Sequence, residues 1–220
     1  MDHRPSRPPG QPVTELLPML ADSRELQPFD DPAWLYEIKY DGYRLLAGTD
    51  PMALRSRNGD DATTWFPEVV AGLQQLRGGP HVLDGEVCVL DEVGRSDFNR
   101  LQERARLRRW YSGADPVAYL VFDLLVYNGQ DITGLQLAER KALLARLFKP
   151  APNGLQYVKH VDAAVDFFRD AVIPLALEGL VAKRRTSIYI PGARTIDWVK
   201  INRPGAVPPE CFKGHTPFGG

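Results

Sequence analysis

Cysteine is scarce in this chain: Cys88 and Cys211 are the two among 220 residues. Two cysteines exclude a disulfide framework, and they lack zinc-ligand spacing. The four histidines, His3, His81, His160 and His215, are scattered, and each reads as a surface or satisfied core residue rather than a metal ligand. No apolar run is long enough to span a bilayer. The N-terminal MDHRPSRPPGQP is polar and proline-rich, unlike a secretory signal. A reducing cytoplasm is therefore the expected location, with no membrane partner. Excess charge of either sign is lacking too. The 27 Lys and Arg residues balance 28 Asp and Glu, so any nucleic-acid contact must come from a local patch. What is present is 44% hydrophobic residues, enough to bury a core in one large domain or two small ones.

Residues 1–13 read as a disordered tail, residues 14–203 as the folded unit, and residues 204–220 as a Pro/Gly-rich tail. WLYEIKYDGYRLLAG (34–48) predicts two strands around an Asp41-Gly42 turn. MALRS is a further strand before the polar loop RNGD. TTWFPEVVAGLQQL spaces Phe66, Val69, Val70, Leu73 and Leu76 as a helix. HVLDGEVCVLDEVGR predicts a strand and turn. DFNRLQERARLRRW predicts a helix with Phe98, Leu101 and Ala105 on one face. VAYLVFDLLVYNG is a buried strand, and LAERKALLARLF an amphipathic helix. A strand (LQYVKHV), a helix (DAAVDFFRDAVIPL) and two strands (EGLVAKRR, TIDWVKIN) complete an α+β pattern.

Strand alternation puts Glu37 and Lys39 on one face of WLYEIK, with Trp34, Tyr36 and Ile38 on the other. Asp84 and Glu86 share a face, as do Trp198, Lys200 and Asn202. Several strands thus present charge beside bulky apolar residues, which suits either a pocket for a charged ligand or half-solvated antiparallel strands. Glu178 and Lys183 face opposite ways in a regular strand, so both can line one pocket only if Glu178 lies in the loop leading into it or the strand is irregular.

Taken in order, KYDGYR (39–44), SRNG (56–59), DGE (84–86), VFDLL (121–125), EGLVAK (178–183) and DWVK (197–200) resemble the motif series of covalent nucleotidyltransferases. These are the ATP-dependent DNA ligases and their RNA-ligase and capping relatives. The flanks LLPMLA, PFDDPAWLYEIKYDGYR, LDGEVCVLDEVGRSDFNRLQ and VFDLLVYNGQDI are most similar to the ligase domain of bacterial end-joining ligases. The resemblance spans roughly residues 16–202. It implies a ligase-type nucleotidyltransferase (ATP-grasp-like) fold, with antiparallel sheets flanked by helices and the nucleotide between them.

The resemblance also implies roles. Lys39 attacks the α-phosphate of ATP and forms lysyl-AMP, aided by the cations Lys200 and Lys183. Glu37 meets the adenine amine, which a carboxylate accepts while repelling a guanine carbonyl. Phe122 stacks on the purine, a contact worth about 1–3 kcal/mol, and Val181 covers the other ring face. Glu86 binds the ribose, Glu178 holds the metal with Glu86 as a second carboxylate, and Arg44 and Arg57 meet the nucleotide or a DNA 5′-phosphate. Asp41 assists later steps or serves only the turn. The cofactors implied are ATP and Mg2+ (or Mn2+), since carboxylates suit a hard cation. The partner implied is nicked or broken duplex DNA, and a monomer is expected. Arg100, Arg104 and Arg108 recur every four residues on a predicted helix, with Arg106 and Arg109 beside them; a grip on DNA and a solvated face paired with acids both remain open.

Two features depart from the family. The last motif ends WVKIN, so Asn202 stands where a second lysine is usual. RPGAVPPECFKGHTPFGG after Asn202 is too short for the OB-fold domain that follows in such ligases, so the chain is either a fragment or a stand-alone domain whose clamp, an OB-fold domain or end-binding protein, is supplied in trans or dispensed with. The alternatives are an RNA ligase, or a non-catalytic nucleotide- or DNA-end-binding module.

Overall fold

The structure is a computed structural model that describes residues 9–206. Its strands are β1 (Leu20–Ala21), β2 (Trp34–Lys39), β3 (Tyr43–Thr49), β4 (Met52–Ser56), β5 (Val82–Cys88), β6 (Ala118–Tyr127), β7 (Gln130–Asp131), β8 (Leu155–Tyr157), β9 (His160–Val161), β10 (Gly179–Arg184), β11 (Arg194–Thr195) and β12 (Trp198–Asn202). Its helices are α1 (Pro67–Leu73), α2 (Phe98–Ala105), α3 (Leu137–Leu147) and the short α4 (Val165–Phe167), which continues as a π-helical turn over Phe168–Val172.

Two mainly antiparallel sheets face each other. One has the order β4-β3-β5-β6-β7, with β8 parallel to β6 on the same side as β7. The other runs β12-β10-β2-β9. Each sheet buries its outer face under helices. Leu45, Leu54, Leu83, Tyr119 and Val121 of the larger sheet join Val69 and Leu73 of α1, Leu101 of α2 and Leu144 of α3 in one core. Tyr36, Leu180, Ala182, Val199 and Ile201 of the smaller sheet pack with Phe168 and Val172 in another. The inner faces carry charged residues beside smaller apolar clusters that include Leu46, Val82, Leu120 and Trp198, with the charges supplied by the period-2 alternation of the strands.

The α+β class and the expected helix-flanked antiparallel sheets are as observed, with local corrections. Asp41-Gly42 is not a hairpin turn. β2 belongs to the smaller sheet and β3 to the larger, so the chain changes sheets between Lys39 and Tyr43. Glycine is required at 42 because a Cβ there would lie 2.3 Å from the Val87 carbonyl oxygen. The expected strand LQYVKHV is broken into β8 and β9, which join different sheets. The expected helix over 162–175 is the short α4 and its π turn. The expected TIDWVKIN strand begins only at Trp198, while Arg194–Thr195 pairs in parallel with β1. Part of the expected tail is also ordered. The Gly10 amide donates to the Gly129 carbonyl and Val13 is buried. Residues 1–8 and 207–220, most of the two predicted tails, lie outside the described residues.

α2 starts where Asp97 accepts from the Arg100 amide at 3.0 Å, an N-cap. It stops at Ala105, and Arg108 adopts φ 51°, so the arginine stripe does not form one helical face. Arg104 is buried and donates to Glu68 at 2.8 Å, and Arg100 pairs with Asp115. Arg106 lies near Glu103 at 3.3 Å, and Arg108 stacks on Trp65. The reading with acid partners therefore describes Arg100, Arg104 and Arg106.

α3 carries Leu137, Lys141, Leu144 and Phe148 on its buried side, the spacing of one helical stripe. Its first amides donate to the carbonyls of Ser187 and Arg185, just past β10, while Leu144 and Phe148 lie in the core of the larger sheet. Arg140 makes a two-pronged pair with Asp123 of β6, both bonds 2.8 Å, and both side chains are fully buried. Breaking a buried pair strands the partner charge. Arg140→Met should therefore lower the unfolding free energy by about 3–5 kcal/mol. Arg169→Met, at an exposed pair with Asp166 and Asp170, should leave the unfolding midpoint where it is. Denaturant titration of both variants checks the contrast.

Candidate active site

The cleft between the sheets is built in rows. Register pairs Lys39 with Gly179, and Gly179 with Asn202. The next row is Glu37, Val181 and Lys200, and the next Leu35, Lys183 and Trp198. Leu180 and Ala182 belong to the core behind the sheet, so Val181 and Lys183 face the cleft. Opposite stand Arg44 of β3, paired in register with Glu86 of β5, Asp84 two residues along β5, and Phe122 of β6. Phe122 meets Trp198 edge-on at 6.2 Å, which fixes the two sheets face to face.

Lys39 is the last residue of β2, where the chain turns away from the smaller sheet. Its side chain is 12% exposed and its ammonium contacts the Glu178 carboxylate. Glu178 lies just before β10, so it reaches the cleft although Lys183 does too, as anticipated for a residue in the preceding loop. The Glu178 Oε2 is buried with no hydrogen-bond partner. Gly179 is needed beside it, because a Cβ there would sit 2.2 Å from the Ile201 carbonyl oxygen. Burial, and then the Lys200 ammonium, lower the Lys39 pKa to about 8, against the acids Asp41, Glu86 and Glu25, which raise it. Burial pushes Glu86 up to about 7, against the Arg44 guanidinium. A cavity of about 350 Å3 opens in front of Lys39, lined also by Asp41, Arg95, Asp97, Glu178 and Arg203.

Deeper in the cleft, Glu37 is 2% exposed and carries a lysine on each carboxylate oxygen: Lys141 on Oε1 and Lys183 on Oε2, the latter at 2.6 Å. Lys183 lies 4.1 Å from the centroids of both Phe122 and Trp198. It therefore serves Glu37 and the two rings. The resemblance places it as a second cation beside Lys39; its row lies four strand steps, about 13 Å, from the row of Lys39. Arg44 is held by Asp84 through bonds of 2.5 and 2.6 Å, with Tyr189 donating to the same carboxylate at 2.7 Å, and lies 4.5 Å from the Phe122 centroid. Arg57 stands exposed in the turn after β4, tied to the cluster through its amide, which donates to the Arg44 carbonyl. Asn202 donates to Glu25, so the residue in the second-lysine position anchors the segment before β2.

The structure thus gathers Lys39, Asp41, Glu178 and Lys200 at the cleft mouth, and Glu37, Phe122, Val181 and Lys183 deeper in, with Arg44 and Glu86 on the facing sheet. Arg57 stays at the rim. Lys141 and Asp84 had no assigned role. Lys141 left a signal: a lysine on the buried stripe of an amphipathic helix requires a counter-ion. Asp84 left a weaker one, sharing a strand face with Glu86.

Amine reactivity tests the electrostatics. Acylation at Lys39, read by peptide mass without metal or nucleotide, should rise with a midpoint near pH 8 instead of the ordinary lysine value of 10.5. Lys200→Met should move that midpoint upward, since it removes a like charge. A midpoint above 10 in the unmodified chain would contradict the desolvated placement.

The family described as "ATP dependent DNA ligase domain" matches residues 18–202. The "Multifunctional non-homologous end joining DNA repair protein LigD" of Mycobacterium tuberculosis is 36% identical over 187 residues, covering 84% of this chain and 24% of that protein. The chain therefore spans about a quarter of the length of this relative. The crystal structure of the ligase domain from M. tuberculosis LigD superimposes with a TM-score of 0.74 at 31% identity, covering 86% of this chain and 60% of that one. A mycobacterial DNA ligase D complexed with ATP and MES gives 0.73 at 33% identity, with the same coverage. Among the described residues no helix is long and apolar enough to cross a membrane. The ordered motifs, the two-sheet cleft and these matches agree: the chain belongs to the ATP-dependent DNA ligase domain family.

Proposed function

We propose that residues 14–203 are the adenylating unit of a DNA ligase and that Lys39 is its nucleophile. The carrying observation is the Lys39 amine, desolvated beside Glu178 and near Lys200, where the cleft between the sheets meets a cavity lined by Lys39, Asp41, Glu178 and the loop before α2. The neutral amine forms a P–N bond to the α-phosphorus of ATP as the P–O bond to pyrophosphate breaks, and the amine nitrogen releases one proton. Lys200 offsets the charge gathering on the α-phosphate. The presence of ATP in the similar mycobacterial ligase supports this nucleotide.

The base would lie between Phe122 and Val181, with Glu37 at its amine edge. Arg44 and Lys183 now lie by the Phe122 ring, so at least one of them shifts as the purine stacks. Glu86, poised near neutrality, suits hydrogen bonds with ribose hydroxyls. Magnesium, or manganese, would be held by Glu178 through its unpartnered Oε2, with Glu86 as a second carboxylate. Among the described residues no group of three or more acids, histidines or cysteines forms a protein cage. The remaining ligands would be phosphate oxygens and water. When bound, such an ion neutralises the phosphates. Asp41 and Arg57, nearer the rim, are assigned to the DNA 5′-phosphate stage. The acceptor is nicked or broken duplex DNA, with an OB-fold domain or end-binding protein supplying the clamp.

Intact mass provides the test. Incubation with ATP and magnesium should add one AMP to the chain, reversed by pyrophosphate and absent in Lys39→Ala. Any AMP carried through purification is stripped first with pyrophosphate. Failure of the stripped chain to gain AMP, with an OB-fold partner added as well, would sink the proposal. Phe122→Ala should raise KM for ATP by about 10–100-fold, the equivalent of one lost stacking contact. AMP transfer to nicked DNA compared with RNA ends separates the DNA-ligase reading from the RNA-ligase one.

A further inference from the structure

Lys141 is a buried charge that the chemistry at Lys39 does not use. It is 1% exposed and lies in the middle of α3, remote in sequence from every motif of the family. Its ammonium has three donors and three acceptors: Glu37 Oε1, the Val158 carbonyl at 2.9 Å and the Phe122 carbonyl at 3.4 Å. It also lies 4.7 Å from the Tyr157 ring centroid. One side chain thus ties the carboxylate proposed for the purine edge to the backbone of the residue proposed for the purine face. Each comes from a different sheet, and Lys141 comes from a third element.

The geometry points to Lys141 as the positioning residue that gives this site its preference for a 6-amino purine. This rests on the nucleotide site proposed above. With Oε1 held by Lys141, the Glu37 carboxylate has one orientation, and Oε2 is the oxygen left to meet a ligand. Oε2 already accepts from Lys183, and a carboxylate oxygen has a second lone pair for an amine. Without Lys141 the carboxylate can rotate onto Lys183 with both oxygens, and its alignment with a purine amine is lost. Rotation would cost recognition of the exocyclic amine and leave the phosphate chemistry intact.

The test compares ATP with purine riboside triphosphate, which lacks the 6-amino group. Dissociation constants are measured by calorimetry for the unmodified chain, Lys141→Met and Lys141→Arg, with thermal melts as folding controls. Single-turnover adduct formation at Lys39 is followed alongside. The unmodified chain should prefer ATP by about tenfold or more, the equivalent of one hydrogen bond to a charged group. Lys141→Met should reduce that preference to near unity by weakening ATP alone, and Lys141→Arg should restore most of it. The maximal rate of adduct formation should change by less than about threefold. If Lys141→Met does not fold, Lys141→Gln takes the same comparison. An unchanged preference, or equal weakening of both nucleotides, overturns the assignment. Nucleotide binding without any adduct, an OB-fold partner added as well, would sink only the Lys39 proposal. No nucleotide binding by the unmodified chain overturns both.

Discussion

The chain changes sheets within three residues, Tyr40 to Gly42, and the site depends on that switch. Lys39 ends a strand of one sheet and Tyr43 starts a strand of the other. Because β3 and β5 then pair with Arg44 opposite Glu86, charges from two sheets converge on one cleft. Gly42 permits it, since the Val87 carbonyl oxygen occupies the space of any side chain there. A hairpin at the same residues would have kept Lys39 and Arg44 on one sheet, with no facing wall. The cavity in front of Lys39 is the space left between the diverging strands and the loop before α2.

A cleft for an anionic ligand cannot be closed with apolar residues alone, so its walls carry charges that need counter-ions. The chain answers with local pairing. Asp84 holds Arg44, Glu178 meets Lys39, and Glu37 lies between Lys141 and Lys183. Buried pairs of this kind add little net stability, because desolvation offsets the attraction. What they give is orientation. α3 is the brace for this arrangement: its amides bond past β10, Arg140 grips Asp123 of β6, and Lys141 reaches β2. Both sheets are thus tied to one helix.

The charged groups of the molecule differ in how fully they are satisfied. Asp123 and Arg140 complete each other, as do Arg44 and Asp84. Glu178 keeps a buried oxygen without a partner, and Lys39 is lowered towards neutrality by burial and by Lys200. A buried acceptor left open and a lysine pKa lowered to about 8 fit the cation and phosphate proposed for this site.

Much of this was written in the sequence. Alternation in WLYEIK put Glu37 and Lys39 on one face and Trp34 and Tyr36 on the core side, because a strand repeats every two residues whatever surrounds it. The order of KYDGYR, DGE, VFDLL, EGLVAK and DWVK identified the family, since those segments carry their chemistry locally. Other features required tertiary structure. Whether Asp41-Gly42 makes a hairpin or a crossover depends on which strands compete for β2 and β3, and those lie far along the chain. The arginines after Asp97 resembled a basic stripe until Glu68, Asp115 and the end of α2 at Ala105 divided them. The link from Lys141 to Glu37 crosses 104 residues and joins a helix to a strand, so no local pattern in either segment names its partner. Local periodicity fixes the face on which a side chain lies, and long-range packing alone decides what that face meets.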